Sequence, residues 1–320
     1  MKLSVVIPTH GKEPLLRQTL AALADQDAGP ERDWEIVVVD DGSRDGTAAF
    51  LAAEAVRAGS RLRVVSPGVN VGRAKARNLG ARAAAGRWIL FLDDDIVAPP
   101  GLLAAHLDLL EAHPGHGTIG AVETAPEVVD APLFDYLDSR GVGRLPAGPA
   151  PARFFVTQNA AVPRAAFLAV GGFDEDFAAY GFEDMEVAFR LEEQAGVRFL
   201  VLAGPRPRHV HHHTLAQYLA KKVECGRHSL PHVARLHPGR VREMSLHWAL
   251  DAPDGAPPGP AVALVRAVAD GPLGRALPRL LGAWPCDRAH RPRLRALHHR
   301  LMNLAVLAAF RQGLTGRALS

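Results

Sequence analysis

The sequence is poor in several features that identify a class of protein at a glance. It contains two cysteines in 320 residues, Cys225 and Cys286, which stand far apart and in no metal-binding spacing. This pattern excludes a disulfide framework, and we expect either a reducing compartment or an inert pair of thiols. Lysine is scarce while alanine, arginine, glycine and proline are abundant, which indicates a coding bias rather than a function.

Long hydrophobic runs are also missing. The apolar run from Leu3 to Ile7 is short and is broken by Pro8, so no secretory signal peptide is expected. The run Leu301–Phe310 contains Asn303 and has about half of the ~20 residues that cross a bilayer. We therefore expect a soluble, cytoplasmic protein that at most lies peripherally on the inner face of a membrane.

Charge is nearly balanced. The net charge is +3, from 37 basic and 34 acidic residues, and 48% hydrophobic residues suffice for a substantial core. Basic residues are concentrated after residue 200, so the C-terminal half has the charge to meet an anionic surface or substrate. We expect no nucleic-acid partner. The length permits one large domain or two.

Strand and helix patterns alternate through the N-terminal half. Short apolar runs predict buried strands, and apolar residues at every third or fourth position predict helices. Strands separated by such helices indicate βαβ units, so the predicted fold class is α/β with a mostly parallel central sheet. The predicted strands cover residues 3–8, 35–39, 61–66 and 88–92, and the predicted helices cover residues 13–25, 47–58 and 72–85.

The pattern is less regular further along. Residues 121–160 are rich in proline and glycine, which predicts a long, variable lobe with one extended segment at 153–157. The remaining predictions before the C-terminal region are helices at 163–170 and 182–195 and a strand at 197–202.

From residue 226 the chain changes to helical segments interrupted by proline, with a turn or linker at 254–260. We therefore predict two domains, an α/β domain at 1–225 and a helical region at 226–320 that contacts the acceptor, a membrane or a partner. A helix predicted at 292–311 carries leucines at spacings of three or four, with arginines and histidines around its start. An ordinary packing helix is the favoured interpretation, and a basic face lying on anionic lipid is the alternative.

The most informative segment is residues 88–97, where an apolar strand ends in three aspartates. Open α/β sheets bind ligands beyond the carboxyl ends of their strands. Asp93 and Asp95 stand at such an end, where their carboxylates can share a hard cation, Mn²⁺ or Mg²⁺, that stabilises a departing diphosphate. A solvated acidic turn is the alternative, but the hydrophobic strand leading into the triplet favours a metal site.

The strand at 35–39 also ends in acidic residues, Asp40 and Asp41. A carboxylate there can accept a hydrogen bond from a base or a ribose hydroxyl, although Asp-Gly-Ser is also a common turn sequence. The segment 69–78 combines a loop glycine, a helix start and three cations, Arg77 among them. These groups can face a diphosphate, or the cations can simply face water.

Two later segments carry further candidate residues. Glu183 and Asp184 follow a glycine-rich loop at a predicted helix start, where the helix dipole favours carboxylates. A capping role explains one of them, and opposite a metal one carboxylate can instead take a proton from an attacking hydroxyl. Alternating histidines at 209–213 would share one face of an extended segment, and one of them could complete a metal shell.

These segments, in this order, resemble the family 2 glycosyltransferases, inverting enzymes with the GT-A nucleotide-sugar fold. The resemblance spans about residues 3–225, and six motifs in the family order are specific although each alone is weak. The motifs are Ser4–Thr9 (SVVIPT), Val37–Ser43 (VVVDDGS), Asn70–Gly72 with Ala76–Asn78, Phe91–Asp95 (FLDDD), Gly171–Asp174 (GGFD) and Glu183–Asp184.

The resemblance implies how a donor is bound. Thr9 and Asp41 match residues that contact uridine, with Asp40 as support. The chain departs from many members at His10–Gly11, where they have an aromatic residue or asparagine, and this changes the contacts to the base. The expected donor-binding residues are Pro8, Thr9, Asp40, Asp41, Arg77, Asp93 and Asp94.

The resemblance also implies a metal and a general base. Asp93 and Asp95 match the Asp-x-Asp metal and sugar-nucleotide motif. His209 lies close to the position of a metal-binding histidine in many members, and His211 is the alternative. The expected catalytic residues are Asp184, as the general base, and its neighbour Glu183.

The implied function is an inverting, metal-dependent transfer of a sugar from a nucleotide diphosphate, with UDP as the expected nucleotide, to a hydroxyl of a carbohydrate or lipid-linked glycan. The implied cofactor is Mn²⁺ or Mg²⁺. A nucleotide-sugar-binding module without catalysis is one alternative, against which the intact acidic residues argue. A nucleotidyltransferase is another, but it would carry a glycine-rich cationic loop after the first strand, and Pro8–Lys12 is a faint version of one.

Overall fold

The structure is a computed structural model. It describes residues 1–29, 31–125, 131–177, 179–211, 213–251, 256–283 and 292–316. Cys286, His212 and the start of the linker predicted at 254–260 lie outside the described residues.

The chain forms two compact units. The first comprises Met1–Glu127, Arg140–Ala178 and Asp184–His211, and the second comprises Val128–Ser139, Ala179–Glu183 and His212–Ser320. The boundary predicted at residue 225 does not coincide with this division, in which the last segment of the second unit begins at His212. Residue 225 falls inside a helix, Leu215–Arg227. That helix starts with a capping box between Thr214 and Gln217, so one hydrogen-bonded element crosses the point at which the composition changes.

The predicted alternation of strands and helices in the N-terminal half is confirmed. Every residue of the second and fourth strands is buried, as their continuous apolar sequences require. The elements are β1 (Leu3–Thr9), α1 (Glu13–Ala24), β2 (Trp34–Asp40), α2 (Thr47–Ala58), β3 (Leu62–Val65), α3 (Arg73–Ala83) and β4 (Trp88–Leu92).

The next part of the chain completes the first unit, except for one helix that belongs to the second, α5. The elements are β5 (Ile96–Val97), α4 (Leu102–Ala112), β6 (His116–Gly120), β7 (Glu123–Thr124), α5 (Ala131–Asp138), β8 (Gly148–Ala150), β9 (Asn159–Pro163), α6 (Arg164–Ala169), α7 (Glu183–Ala195), β10 (Arg198–Leu202) and β11 (Arg208–His209).

The prediction of an extended segment at 153–157 was wrong. A 3-10 turn occupies Ala152–Phe154 after Pro151, and the strand is β9 instead. The aromatic and β-branched composition of 153–157 favours a strand. In the structure, however, Phe155 is buried against Phe199 (ring centroids 5.4 Å apart), while β9 finds strand partners on both sides.

The main sheet has the strand order β3-β2-β1-β4-β9-β6-β10-β8. The four strands from β3 to β4 are parallel, whereas β9 runs antiparallel to both β4 and β6. The sheet is therefore mixed. Its continuous parallel part lies in the N-terminal half as predicted, and further along the chain β10 is parallel to β6 and antiparallel to β8. In the β4–β9 pair Leu92 lies opposite Asn159, so β9 starts at the edge of the sheet where β4 ends.

A second, small sheet has the order β5-β11-β7. Here His209 pairs with Ile96 and Arg208 with Val97, in antiparallel register. The backbone N–H of Val210 also donates to the carbonyl oxygen of Asp95, at 3.0 Å. This sheet therefore carries the predicted histidine segment back to the aspartate triplet.

The second unit is helical. Among its described helices, α8 and α12 pack against each other most extensively. They come so close that a methyl group at Gly226 would lie 2.2 Å from the carbonyl oxygen of Phe310. Besides α5, its helices are α8 (Leu215–Arg227), α9 (Ser229–Leu236), α10 (Pro260–Asp270), α11 (Pro272–Gly282) and α12 (Pro292–Thr315).

Helix α12 is a packing helix, the favoured of its two interpretations. Met302, Ala305 and Ala309 are buried in the core of the second unit. Two of its basic residues, Arg295 and His299, contact the carboxylate of Asp135, at 2.7 and 3.0 Å. Among the described residues, no helix has the length and hydrophobicity that a membrane span needs.

Candidate active site

Three strand ends of the first unit meet at one edge of the main sheet. Thr9 and Asp40, the last residues of β1 and β2, are register partners, and β4 lies on the other side of β1. The hydroxyl of Thr9 donates a 2.8 Å hydrogen bond to Oδ2 of Asp94, just beyond β4. Pro8 lies within β1, directly before Thr9. The structure thus brings together the strand ends that the sequence singled out.

Asp41 holds the loop that leads into α3. Its two carboxylate oxygens accept hydrogen bonds from the backbone N–H groups of Val71 (2.6 Å) and Gly72 (3.1 Å). Gly42 makes this approach possible, because a Cβ there would lie 2.6 Å from a backbone nitrogen of the same loop, and its φ is +74°. Asp40 instead closes its own turn, accepting from the N–H of Ser43 at 3.0 Å. A carboxylate oxygen has more than one acceptor site, so Asp41 retains capacity for a ligand.

Lys12 bridges two aspartates of the triplet. Its Nζ lies 3.0 Å from Oδ1 of Asp94 and 2.8 Å from Oδ2 of Asp95, and both carboxylates are buried. Burial opposes the charged form of Lys12, but Asp95 and Asp94 outweigh it and raise the pKa of the ammonium. Burial raises the pKa of the Asp94 carboxyl against the attraction of Lys12. For Asp95, His209 and Lys12 overcome burial and lower the pKa of the carboxyl.

Asp95 and His209 present two metal-ligand atoms to each other. Nε2 of His209 lies 3.3 Å from Oδ1 of Asp95. Within the described part of the chain, this buried Oδ1 has no hydrogen-bond partner. A buried carboxylate oxygen without a donor, facing an imidazole nitrogen, fits a divalent cation that takes oxygen and nitrogen ligands. The residues present therefore fit the implied metal.

The other two predicted ligands are arranged differently. Oδ1 of Asp93 accepts a 2.7 Å bond from the buried guanidinium of Arg77, so a cation already contacts this carboxylate. The ring of His211 lies 6.3 Å from that of His209. Among the described residues, no three of these four candidate ligands bring their ligand atoms within 4.8 Å of one another. The pair Asp95 and His209 is thus the core of the candidate metal site.

Asp184 is tied to the same edge of the sheet through Thr157. The buried Thr157 donates to the carboxylate of Asp184 from its hydroxyl (3.0 Å) and from its backbone N–H (3.3 Å). Thr157 stands two residues before Asn159, which lies opposite the last residue of β4. The candidate base, on α7, is therefore hydrogen-bonded to the segment that leads into β9 beside the aspartate triplet. Glu183 is buried at the first position of α7.

Two side chains fasten the glycine-rich loop before α7. Asn78 donates to the carbonyl oxygen of Phe173 (2.9 Å) and accepts from its N–H (2.8 Å), so one amide clamps both backbone groups of that residue. Arg190 donates to the carbonyl oxygens of Val170 and Gly172 and pairs with Glu186. These bonds fix the loop 170–173 to α3 and α7.

Sequence reasoning missed Lys12, Thr157 and the roles of Asn78 and Arg190. Lys12 belongs to Pro8–Lys12, which is only a faint version of a glycine-rich cationic loop, and Asn78 is part of the motif Ala76–Asn78. Each acts through a partner far away in the chain, which a single sequence does not reveal. A cation following the first strand by three residues was the one available signal.

Solved structures share this architecture. The mannosyltransferase PcManGT from Pyrobaculum calidifontis, in complex with GDP-Man and Mn²⁺, has a TM-score of 0.63 at 23% identity, over 99% of this chain and 88% of that one. S. aureus TarS 1–349 in complex with UDP has a TM-score of 0.54 at 18% identity, over 99% of this chain and 91% of that one. At these identities the likeness defines the fold, which is of the GT-A type.

The chain belongs to glycosyl transferase family 2. The model of that family matches residues 4–167, which include the strand ends at Thr9, Asp41 and Asp93–Asp95. A second family model, described as the N-terminal domain of galactosyltransferase, matches residues 147–213, which include Asp184 and His209.

The relatives with curated names are also glycosyltransferases by name. Validoxylamine A glucosyltransferase from Streptomyces hygroscopicus subsp. limoneus is 36% identical over 222 residues, covering 59% of this chain and 47% of the relative. The uncharacterized glycosyltransferase YfnE from Bacillus subtilis (strain 168) is 26% identical over 304 residues, covering 79% and 74%. The chain therefore spans about half the length of the Streptomyces relatives that it matches.

Proposed function

We propose that this protein transfers a sugar from a UDP-sugar to a hydroxyl group of a carbohydrate or lipid-linked glycan, with inversion at the anomeric carbon and release of UDP. The observation that carries the proposal is the convergence of Asp41, the triplet Asp93–Asp95 and Asp184 on one edge of one sheet. The family membership supports it. The solved GT-A structures in complex with GDP-Man and Mn²⁺ and with UDP support a nucleotide-sugar donor and a metal.

The first residues of the site would bind the donor. Thr9 and the loop held by Asp41 lie where the nucleoside would rest, beyond the ends of β1 and β2. Arg77 supplies a guanidinium at the triplet, where a diphosphate would need positive charge. Asp95 and His209 would hold Mn²⁺ or Mg²⁺, which when bound neutralises charge on the leaving diphosphate.

Asp184 would act as the general base. A hydroxyl attacking the anomeric carbon must lose a proton, and a carboxylate placed opposite the leaving group can accept it. Thr157 holds the carboxylate with two hydrogen bonds, which restricts its rotation. A single displacement from that side inverts the configuration.

The test is a panel of UDP- and GDP-sugars with Mn²⁺ or Mg²⁺, scored by release of nucleoside diphosphate, with Asp184→Asn as the matched variant. We expect release from a UDP-sugar by the wild type. We expect Asp184→Asn to bind the same donor and to lose turnover by about 10²–10⁴-fold, the usual cost of removing a general base. Equal turnover in the variant would remove Asp184 from this role. Release of sugar 1-phosphate from a nucleotide sugar when pyrophosphate is added would indicate a nucleotidyltransferase, and binding without turnover in the wild type would indicate an inactive module.

A further inference from the structure

An ammonium group stands between two carboxylates of the candidate metal site. Lys12 is the residue before α1, and its Nζ contacts Asp94 and Asp95 at 3.0 and 2.8 Å. The side chain of Lys12 is 34% exposed, whereas those of Asp94 and Asp95 are 7% and 5% exposed. The two carboxylates are thus enclosed, while the ammonium that contacts them extends from the surface on a flexible side chain.

The two carboxylate oxygens of Asp95 have different neighbours. Oδ2 of Asp95 is taken by Lys12, and Oδ1 of Asp95 faces Nε2 of His209 at 3.3 Å with no hydrogen bond from the described residues. A divalent cation held by Asp95 and His209 would therefore stand close to the ammonium on the other oxygen. A divalent cation and an ammonium on the two oxygens of one buried carboxylate repel each other more strongly than they would in bulk water.

We propose that Lys12 is the resident counter-ion of this site and competes with the divalent cation for Asp95, so that metal binds tightly only together with the nucleotide diphosphate. This inference rests on the proposed function, in which Asp95 is a metal ligand. One ammonium offsets part of the charge of the two carboxylates, which leaves a weak site for a metal alone. A diphosphate adds negative charge, which both cations can then share.

Lys12 would also couple the binding of the metal to the binding of the nucleotide. Because the coupling between two ligands is reciprocal, a nucleotide that strengthens metal binding is itself bound more tightly in the presence of metal. Removal of the ammonium removes the competitor. The metal should then bind well without nucleotide, and the nucleotide should add less.

The test measures free Mn²⁺ by electron paramagnetic resonance in titrations of the wild type and Lys12→Met, each with and without UDP. Without UDP we expect the wild type to bind Mn²⁺ weakly, and with UDP we expect its affinity to rise at least about tenfold. Without UDP we expect Lys12→Met to bind Mn²⁺ at least about tenfold more tightly than the wild type. A tenfold change is the scale measured for interactions between close charge pairs. Lys12→Arg keeps the charge and should behave as the wild type. Lys2→Met is the matched control, because Lys2 makes a comparable 2.9 Å ion pair, with Glu111.

Two results would overturn the proposal. One is an affinity of Lys12→Met for Mn²⁺ that is equal to or below that of the wild type. The other is a wild-type affinity that UDP does not raise, a measurement that needs no variant and therefore stands if Lys12→Met fails to fold. Absence of Mn²⁺ binding under all conditions would defeat the metal part of the proposed function as well. Tight, UDP-dependent binding without sugar transfer would defeat the proposed function alone.

Discussion

His106 makes the stability of the first unit depend on pH. Its ring, in α4, is fully buried, with Nδ1 2.8 Å from the hydroxyl of Thr118 and Nε2 2.8 Å from the amide oxygen of Asn159. An amide oxygen can only accept, so Nε2 carries the proton and Nδ1 accepts from the hydroxyl. Burial lowers the pKa of His106 from 6.5 to about 4. The ring is therefore neutral in the folded protein.

The sign of the effect follows from proton binding. Between pH 6.5 and 4 the unfolded chain binds a proton at His106 that the folded protein does not, so the free energy of unfolding falls as the pH falls. The stabilisation by the neutral ring is complete above the unfolded pKa of 6.5. At pH 5 the loss spans about 1.5 pH units, or about 2 kcal/mol at 1.36 kcal/mol per unit.

The assay is urea denaturation of the wild type and His106→Gln at pH 7.5 and pH 5.0. The drop in free energy of unfolding between the two values should be about 2 kcal/mol smaller in His106→Gln, because the variant lacks this proton-binding group. His113→Gln, which removes an exposed histidine at the end of the same helix, should keep the wild-type drop. An equal drop in His106→Gln and the wild type would refute the reasoning.

Two further predictions concern the base and the second unit. Thr157→Val should lower kcat by about tenfold with little change in KM for the donor, because a hydrogen bond to the charged carboxylate of Asp184 is lost. Thr157→Ser keeps the hydroxyl and should retain most of the wild-type kcat. A change confined to KM would contradict a role through Asp184. Gly226→Ala should lower the free energy of unfolding by about 1–3 kcal/mol, since its methyl group would overlap the carbonyl of Phe310. Gly239→Ala, which meets open space, is its control in thermal melts, and equal melting temperatures would show that the α8–α12 contact relaxes.

The N-terminal half of the fold could be predicted because its local patterns agree with its tertiary structure. Leu3–Thr9 is mostly apolar and Trp88–Leu92 entirely so, and both are bounded by turn residues and buried along almost their whole length. Beyond β4 the agreement is partial. The helices predicted at 163–170 and 182–195 and the strand predicted at 197–202 are present as α6, α7 and β10. Residues 153–157 have strand composition but form a turn, whereas the strand at Asn159 owes its existence to two neighbours that are distant in the chain.

The candidate site was predictable to the same degree. Acidic residues at strand ends identify themselves, since each follows an apolar run, and the structure places Asp41 and Asp95 at one edge of the sheet. Their immediate partners were not predictable. The ion pair of Lys12 with Asp95 joins residues 83 positions apart, and the bond of Thr157 to Asp184 depends on where β9 enters the sheet.

The domain boundary shows a third kind of limit. Composition changes near residue 226, but the compact second unit also takes in Val128–Ser139, because Tyr136 is buried and bonds to Asn303 at 2.9 Å. A chain that leaves one unit and returns to it leaves no mark in local composition. Cys225 is buried, and burial raises the pKa of its thiol to about 12, which disfavours the reactive thiolate.

The central claim is that the carboxylates at these strand ends form one site for a divalent cation and a nucleoside diphosphate. Crystals grown with UDP and Mn²⁺ test it most directly, through anomalous scattering from manganese. The account predicts one manganese peak at about 2.2 Å from oxygen and nitrogen atoms of Asp95 and His209, with the diphosphate on the same ion. Manganese or UDP bound elsewhere on the molecule, with Lys12 still on Asp95 and no ion between Asp95 and His209, would contradict it.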